Sequence, residues 1–193
     1  NLTPNDPKFT ELFGLLNLGQ TGGTVGADIK ATLAWNRTTG NANNIVAVVD
    51  TGIDFTHPDL LANLWQNPGE IPGNGIDDDA NGVVDDVYGL NAINNTGNVM
   101  DDHGHGTHVS GTIGAVGNNV LGVVGVNWAG KIATCKMFPA SGPGTIADAV
   151  KCVKYFNRLK KIANQKIAVE NHSWGGGGFS QALKDALLAT EQP

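Results

Sequence analysis

At 193 residues with 40% apolar side chains the chain can bury one ordinary core, which excludes a disordered polypeptide, and its 27 glycines show no G-X-Y period, which excludes a collagen-like fibre. No apolar run approaches the ~18 residues that cross a bilayer, and a net charge of −6 argues against nucleic acid as the main partner, so neither a membrane nor a phosphate backbone is expected. The opening NLTPNDPKF lacks the basic and apolar regions of a signal peptide, so the chain reads as soluble, with any export signal removed or never included.

Residues 1–40 are rich in Asn, Gly and Thr and read as an arm laid over the domain, with one short amphipathic run at 28–35. Ile45-Val46-Ala47-Val48-Val49-Asp50 is a continuous β-branched run closed by Thr51-Gly52, as a strand buried on both faces of a parallel sheet would be. Residues 66–102 form an acidic segment punctuated by Gly and Pro, too long for a plain connector, and are expected to hold ions or carry function. Small residues from 106 to 115 fit a helix pressed against a sheet. A strand over 131–138, a glycine-rich turn at Ser141-Gly142-Pro143-Gly144, a helix over 145–161 with Thr145 as N-cap, a strand over 167–171 and a helix over 181–189 follow. This alternation predicts a three-layer α/β fold, its mostly parallel sheet covered by helices on both faces.

Charge is unevenly placed. Between Arg37 and Lys131 there is no Lys or Arg, while Asp50, Asp54, Asp59, Glu70, Asp77, Asp78, Asp79, Asp85, Asp86, Asp101 and Asp102 place eleven carboxylates there. Such a surplus repels itself unless neutralised, and a hard divalent cation is the natural candidate. Residues 77–85 match the D-x-D-x-N-G opening of an EF-type calcium loop, offering Asp77, Asp79, Asn81, the Val83 carbonyl and Asp85 as ligands. The twelfth position is Tyr88 rather than Glu, so calcium here needs Asp86 or a distant carboxylate, and a hydrated acidic turn is the alternative. The later cluster Lys151, Lys154, Arg158, Lys160, Lys161 and Lys166 reads as a solvated helix face. Cys135 and Cys152 could form one bridge or remain two buried thiols; their spacing is not that of a zinc site.

Three features suggest chemistry. Asp50 ends a buried strand, where open parallel sheets place reactive groups. His103, His105 and His108 crowd a loop-to-helix junction, and Asn171-His172-Ser173-Trp174-Gly175-Gly176-Gly177-Gly178 leaves a strand into a run that another backbone could approach. Together they suggest an Asp orienting a His beside an extended-peptide groove.

Val49-Asp50-Thr51-Gly52-Ile53, His57-Pro58-Asp59-Leu60, His105-Gly106-Thr107-His108-Val109-Ser110-Gly111 and Asn171-His172-Ser173-Trp174-Gly175 closely resemble, in order, the signature blocks of the subtilisin-like serine proteases. The resemblance implies a secreted, calcium-dependent endopeptidase in which Asp50 is the triad carboxylate and His105 the general base, with His103 and His108 as packing residues. It implies that Ser173, Trp174 and Gly175 form one edge of the substrate groove and Gly142 and Gly144 the other. A polypeptide substrate or an inhibitory propeptide would lie between them, bound chiefly through main-chain hydrogen bonds. Phe138, Ile146, Ala149 and Trp174 would line an apolar subsite further along. It implies a second calcium site from Asp59, the Asn119 side chain and the carbonyls of Gly117, Leu121 and Val123, closed by Asp6 of the arm.

The family's Gly-Thr-Ser-Met nucleophile block and its oxyanion Gly-Asn block are absent, and none of the four serines, Ser110, Ser141, Ser173 and Ser180, sits in a nucleophile-like turn. The resemblance spans roughly residues 5–184, a little more than half of the family's catalytic domain, so the chain is expected to be an incomplete domain, inactive alone, that joins the C-terminal remainder of the domain or a second copy. A non-catalytic peptide- or calcium-binding module is the alternative. A metallohydrolase using His103, His105 and His108 is a third reading.

Overall fold

The structure, a computed structural model, describes residues 1–161 and 165–190. Its centre is a four-stranded parallel sheet in the order β2-β3-β1-β4, built from β1 (Ile45–Asp50), β2 (Gly89–Asn91), β3 (Lys131–Lys136) and β4 (Ile167–His172). Side chains alternate along β1. Ile45, Ala47 and Val49 face a cluster with Ala133 and Cys135 that is closed by Ala149, Cys152, Tyr155 and Phe156 of α3 (Ile146–Lys161). Val48 faces a second cluster with Ile132, Leu60 and Leu64, against which Val109 and Ile113 of α2 (His105–Gly114) pack. Helices therefore cover both faces, which is why the central strand reads as one apolar run. The expected three-layer α/β architecture is borne out.

Several boundaries differ from the sequence reading. Within the amphipathic run at 28–35 a single helical turn forms, α1 (Ala31–Ala34), because Asp28 accepts the amides of Asn17 and Lys30 and Lys30 sits at φ 59°, a turn that blocks an earlier start. The strand expected to reach 138 stops at Lys136, since the Met137 and Phe138 amides both donate to the Asp50 carbonyl. Strand β2 lies inside the acidic segment. Thr145 caps α3 as expected, accepting the Asp148 amide at 3.1 Å while donating to the Asp148 carboxylate. Ser180, not foreseen as a cap, accepts the Leu183 amide at the start of α4 (Gln181–Leu188).

Cys135 and Cys152 are joined, which resolves the pairing left open and staples β3 to α3 with Cα atoms 5.6 Å apart. The arm is tied down by Phe9, Trp35 and Trp128, with Phe9–Trp35 and Trp35–Trp128 ring centroids 6.0 and 5.0 Å apart. Trp35 Nε1 donates to the Val126 carbonyl. The basic face of α3 is only partly solvated: Arg158 donates to the Ala80 and Asn81 carbonyls of the acidic loop, and Lys151 to the Ala92 carbonyl. Strand β4 pairs with β1 alone among the described strands, and Val169 on it is half exposed.

Candidate active site

Strand β1 ends on Asp50, and α2 begins on His105. What brings them together is a backbone contact that only glycine allows. A Cβ on Gly106 would lie 2.2 Å from the Gly52 carbonyl oxygen, and one on Gly52 would lie 2.4 Å from the Val99 carbonyl oxygen. With those clearances, the first turn of α2 lies directly on the turn that follows β1.

His105 Nδ1 is 2.7 Å from Asp50 Oδ1. Oδ1 also accepts the Thr51 amide at 2.7 Å, while buried Oδ2 has no partner among the described residues. The Asp50 carboxylate is 1% exposed and the imidazole 46% exposed, so the acid is enclosed and the base reaches solvent. An ionised carboxylate only accepts, so Nδ1 carries the proton and Nε2 is left with a lone pair facing outward. Around the pair, Asp101 accepts five hydrogen bonds and Lys136 Nζ donates to Thr51 O and Asp102 Oδ1, each at 2.6 Å. Sequence reading had counted Asp101 and Asp102 among the surplus acids and missed Lys136.

The other histidines take different places. His103 packs edge-on to His105 at 6.4 Å between ring centroids, and His108 lines a cavity between α2 and the arm. Among the described residues no three imidazoles converge within ligand reach, so the metallohydrolase reading has no geometric support.

Beyond the dyad, Trp174 packs edge-on against Phe138, centroids 6.2 Å apart, and a Cβ on Gly144 would lie 2.7 Å from the Phe138 ring. Residues 142–144 and 173–175 are thus linked through one aromatic pair, with Ser173, Gly175 and Gly142 exposed. Ile146 is half-buried, but Ala149 is wholly buried in the α3 core, so it is a packing residue and not a subsite wall. No described serine hydroxyl bonds His105. Ser110 is buried in α2, Ser180 caps α4 and Ser173 Oγ accepts from Asn171 Nδ2.

Two regions have the donor chemistry of a hard cation. In the acidic loop, carboxylate oxygens of Glu70, Asp77 and Asp79 come within 4.8 Å of one another, and buried Asp79 Oδ1 has no partner among the described residues. Glu70 precedes Asp77 by seven residues and is itself buried, its oxygens accepting the amides of Asp78, Asp79 and Asp85. Asn81 spends Oδ1 on the Val83 amide and Nδ2 on Asp86, while Asp85 turns both oxygens to the amides of Gly73 and Gly75. Tyr88, at the twelfth position, stacks on Phe55.

In the second region, Asp59 accepts from Asn119 Nδ2 and the Val123 amide, and Asp6 Oδ2 accepts the Asn118 amide. Asp6 is 4% exposed, and its Oδ1 has no partner among the described residues. The arm and the 117–125 loop are therefore in contact, as expected, with Gly117, Leu121 and Val123 on that loop.

Comparison with known proteins agrees with this geometry. A family model described as the subtilase family matches residues 41–192. A subtilisin-like protease 1 of Plasmodium berghei is 46% identical over 130 residues, covering 66% of this chain and 22% of that protein. An extracellular protease of Xanthomonas campestris is 30% identical over 198 residues, covering 96% of this chain and 32% of that protein. The chain therefore spans only about a fifth to a third of the length of these relatives. A solved protease structure from Pseudoalteromonas arctica superposes with a TM-score of 0.68 at 24% identity, over 98% of this chain and 56% of that one.

Proposed function

Because the chain belongs to the subtilase family of serine proteases, we propose that it carries the acid and base of a secreted, calcium-dependent endopeptidase and holds one side of its substrate groove. The observation that carries the reading is the 2.7 Å contact from His105 Nδ1 to an Asp50 carboxylate that solvent does not reach.

In this reading His105 Nε2 takes the proton of a serine hydroxyl as it attacks a peptide carbonyl, and later returns it to the leaving amine. Asp50 keeps the imidazole in the Nδ1–H tautomer and offsets the charge of the imidazolium. An extended peptide runs between residues 142–144 and 173–175, reaching the Phe138–Trp174 pair; an inhibitory propeptide uses the same surface. No described serine hydroxyl bonds His105, so in this reading the attacking serine is none of Ser110, Ser141, Ser173 and Ser180. The exposed edge of β4 is where the rest of the domain, or a second copy, continues the sheet. Calcium is proposed at Glu70, Asp77 and Asp79, and at Asp6 and Asp59, with the orphaned buried oxygens of Asp79 and Asp6 as the support; it supplies charge neutralisation and no chemical step. The disulfide and the extracellular relative support secretion.

The test is hydrolysis of a quenched-fluorescent peptide mixture. The chain alone is expected to give none, since losing the nucleophile costs subtilisin ~10⁶ in turnover. A longer polypeptide that supplies a nucleophilic serine should cleave the mixture and lose activity on His105→Ala. Activity that survives His105→Ala would sink the reading.

A further inference from the structure

We infer that Asp101 is a positioning residue that sets the contact between Asp50 and His105, with Lys136 and Asp102 as a second tie between the same segments. This rests on the protease reading above and deepens it. Five donors converge on the Asp101 carboxylate. Oδ1 accepts from Thr51 Oγ1 at 2.9 Å and from the amides of His103 and Gly104 at 3.0 and 2.9 Å. Oδ2 accepts from the Thr107 amide at 2.9 Å and from Thr107 Oγ1 at 2.6 Å.

Thr51 directly follows the acid, and His103, Gly104 and Thr107 bracket the base. One carboxylate thus joins the two segments that carry the dyad. Thr51 Oγ1, while donating to Asp101, accepts the Gly106 amide at 2.8 Å, so the hydroxyl passes the connection on to the residue after His105. Asp102 repeats the tie through a different group: Lys136 Nζ donates both to it and to the Thr51 carbonyl. Lys136 faces Asp50 in the parallel register of β1 and β3 and is 5% exposed.

A plain helix cap would account for the Thr107 amide alone. It does not require bonds to the Asp50 turn, which lies 50 residues away in sequence. Misplacement of a base by ~1 Å costs up to ~10²-fold in rate, so a residue that fixes the relative position of acid and base has a kinetic effect without touching substrate.

The test reads the dyad itself. The proton between His105 Nδ1 and Asp50 should give a far-downfield resonance in the NMR spectrum of this chain, identified by its loss in His105→Ala. In Asp101→Asn one of the two acceptor oxygens becomes an amide nitrogen, so either the Thr107 bonds or those from Thr51, His103 and Gly104 are lost, and the resonance is expected to shift upfield or broaden away. In the intact enzyme the same variant is expected to lower kcat 10- to 100-fold with KM changed less than twofold. A cap without positioning role would lower the melting temperature and leave the resonance and kcat as they were, which would overturn the inference. Should Asp101→Asn fail to fold, Thr51→Val removes the two bonds of that hydroxyl, to Asp101 and from the Gly106 amide, leaves the other Asp101 bonds in place and is read the same way, an unchanged resonance again overturning the inference. Absence of the resonance in the unaltered chain would overturn the dyad, and with it both readings.

Discussion

Two carboxylate-rich regions, residues 101–107 beside the dyad and residues 70–86 of the acidic loop, neutralise their charge in opposite ways. Burial works against the charge of Asp101, but hydrogen bonds from Thr107, Gly104 and His103 outweigh it and hold the carboxyl well below the usual range. Asp86 is fully buried in the loop, and that burial pushes it up to about 6 in spite of bonds from Tyr155, Asn67 and Asn81, with Asp79 adding repulsion. Tyr155, which donates to Asp86 at 2.6 Å, is itself pushed well above its ordinary value by burial and by the Asp86 charge. Both acids accept several bonds, so the number of donors relative to the depth of burial decides which side wins. At the dyad corner the Asp101 and Asp102 carboxylates are met by Lys136, by the Thr51 and Thr107 hydroxyls and by backbone amides. The loop acids are met instead by neutral donors, backbone amides together with Asn67, Asn74, Asn81 and Tyr155, with Arg158 reaching the loop carbonyls and not its carboxylates.

Substitutions at the dyad give the largest expected effect. In the intact enzyme Asp50→Asn should lower kcat by ~10⁴, as loss of the correct tautomer does in the serine proteases, with or without calcium present. A calcium-dependent defect would erase the distinction between the two regions.

Stability effects come next. Reducing the Cys135–Cys152 bridge, whose ends are 17 residues apart, should cost about 3 kcal/mol in urea unfolding. Calcium at ~100 times its dissociation constant should add about 2.7 kcal/mol. Asp77→Asn combined with Asp79→Asn should abolish the part of that gain that comes from the loop, seen as a smaller rise in melting temperature. The dyad resonance should not respond to the metal.

The pH dependence separates the regions by sign. Asp86 binds its proton more tightly when folded, so its contribution to stability is complete below about pH 4 and is lost as pH rises to about 6. Asp101 does the reverse: its contribution is present above pH ~4 and is lost as pH falls toward its depressed folded value. Unfolding free energy of the calcium-free chain should therefore decline between about pH 4 and 6, by on the order of 2 kcal/mol, and Asp86→Asn should flatten that limb. The smallest expected effect is Arg158→Met, costing about 1 kcal/mol through two lost hydrogen bonds to the loop carbonyls, read as a small drop in melting temperature.

Much of the fold was legible in the sequence because burial leaves a periodic trace. Strand β1 is a β-branched run, and α3 repeats Ala149, Val153 and Phe156 at its buried face. Strand β2 left no such trace: Gly89-Leu90-Asn91 is too short for alternation and sits within a polar segment. The dyad was legible because Asp50 and His105 lie in local blocks of distinctive composition. The groups that support it were not, since Lys136 reads as the exposed end of a strand until the sheet places it opposite Asp50. Glu70 was hidden for a similar reason, lying outside the D-x-D-x-N-G window, and the cysteine pairing depends on how α3 returns to β3.

The contact of Trp35 with Trp128 makes the molecule optically self-reporting. Two of its four tryptophans meet where the arm packs on the segment before β3, with Phe9 against the Trp35 indole. Trp128 also lies against Gly117 of the proposed calcium loop. Near-ultraviolet circular dichroism and tryptophan emission therefore watch the docking of residues 1–40 directly, without a label, during refolding or chelation.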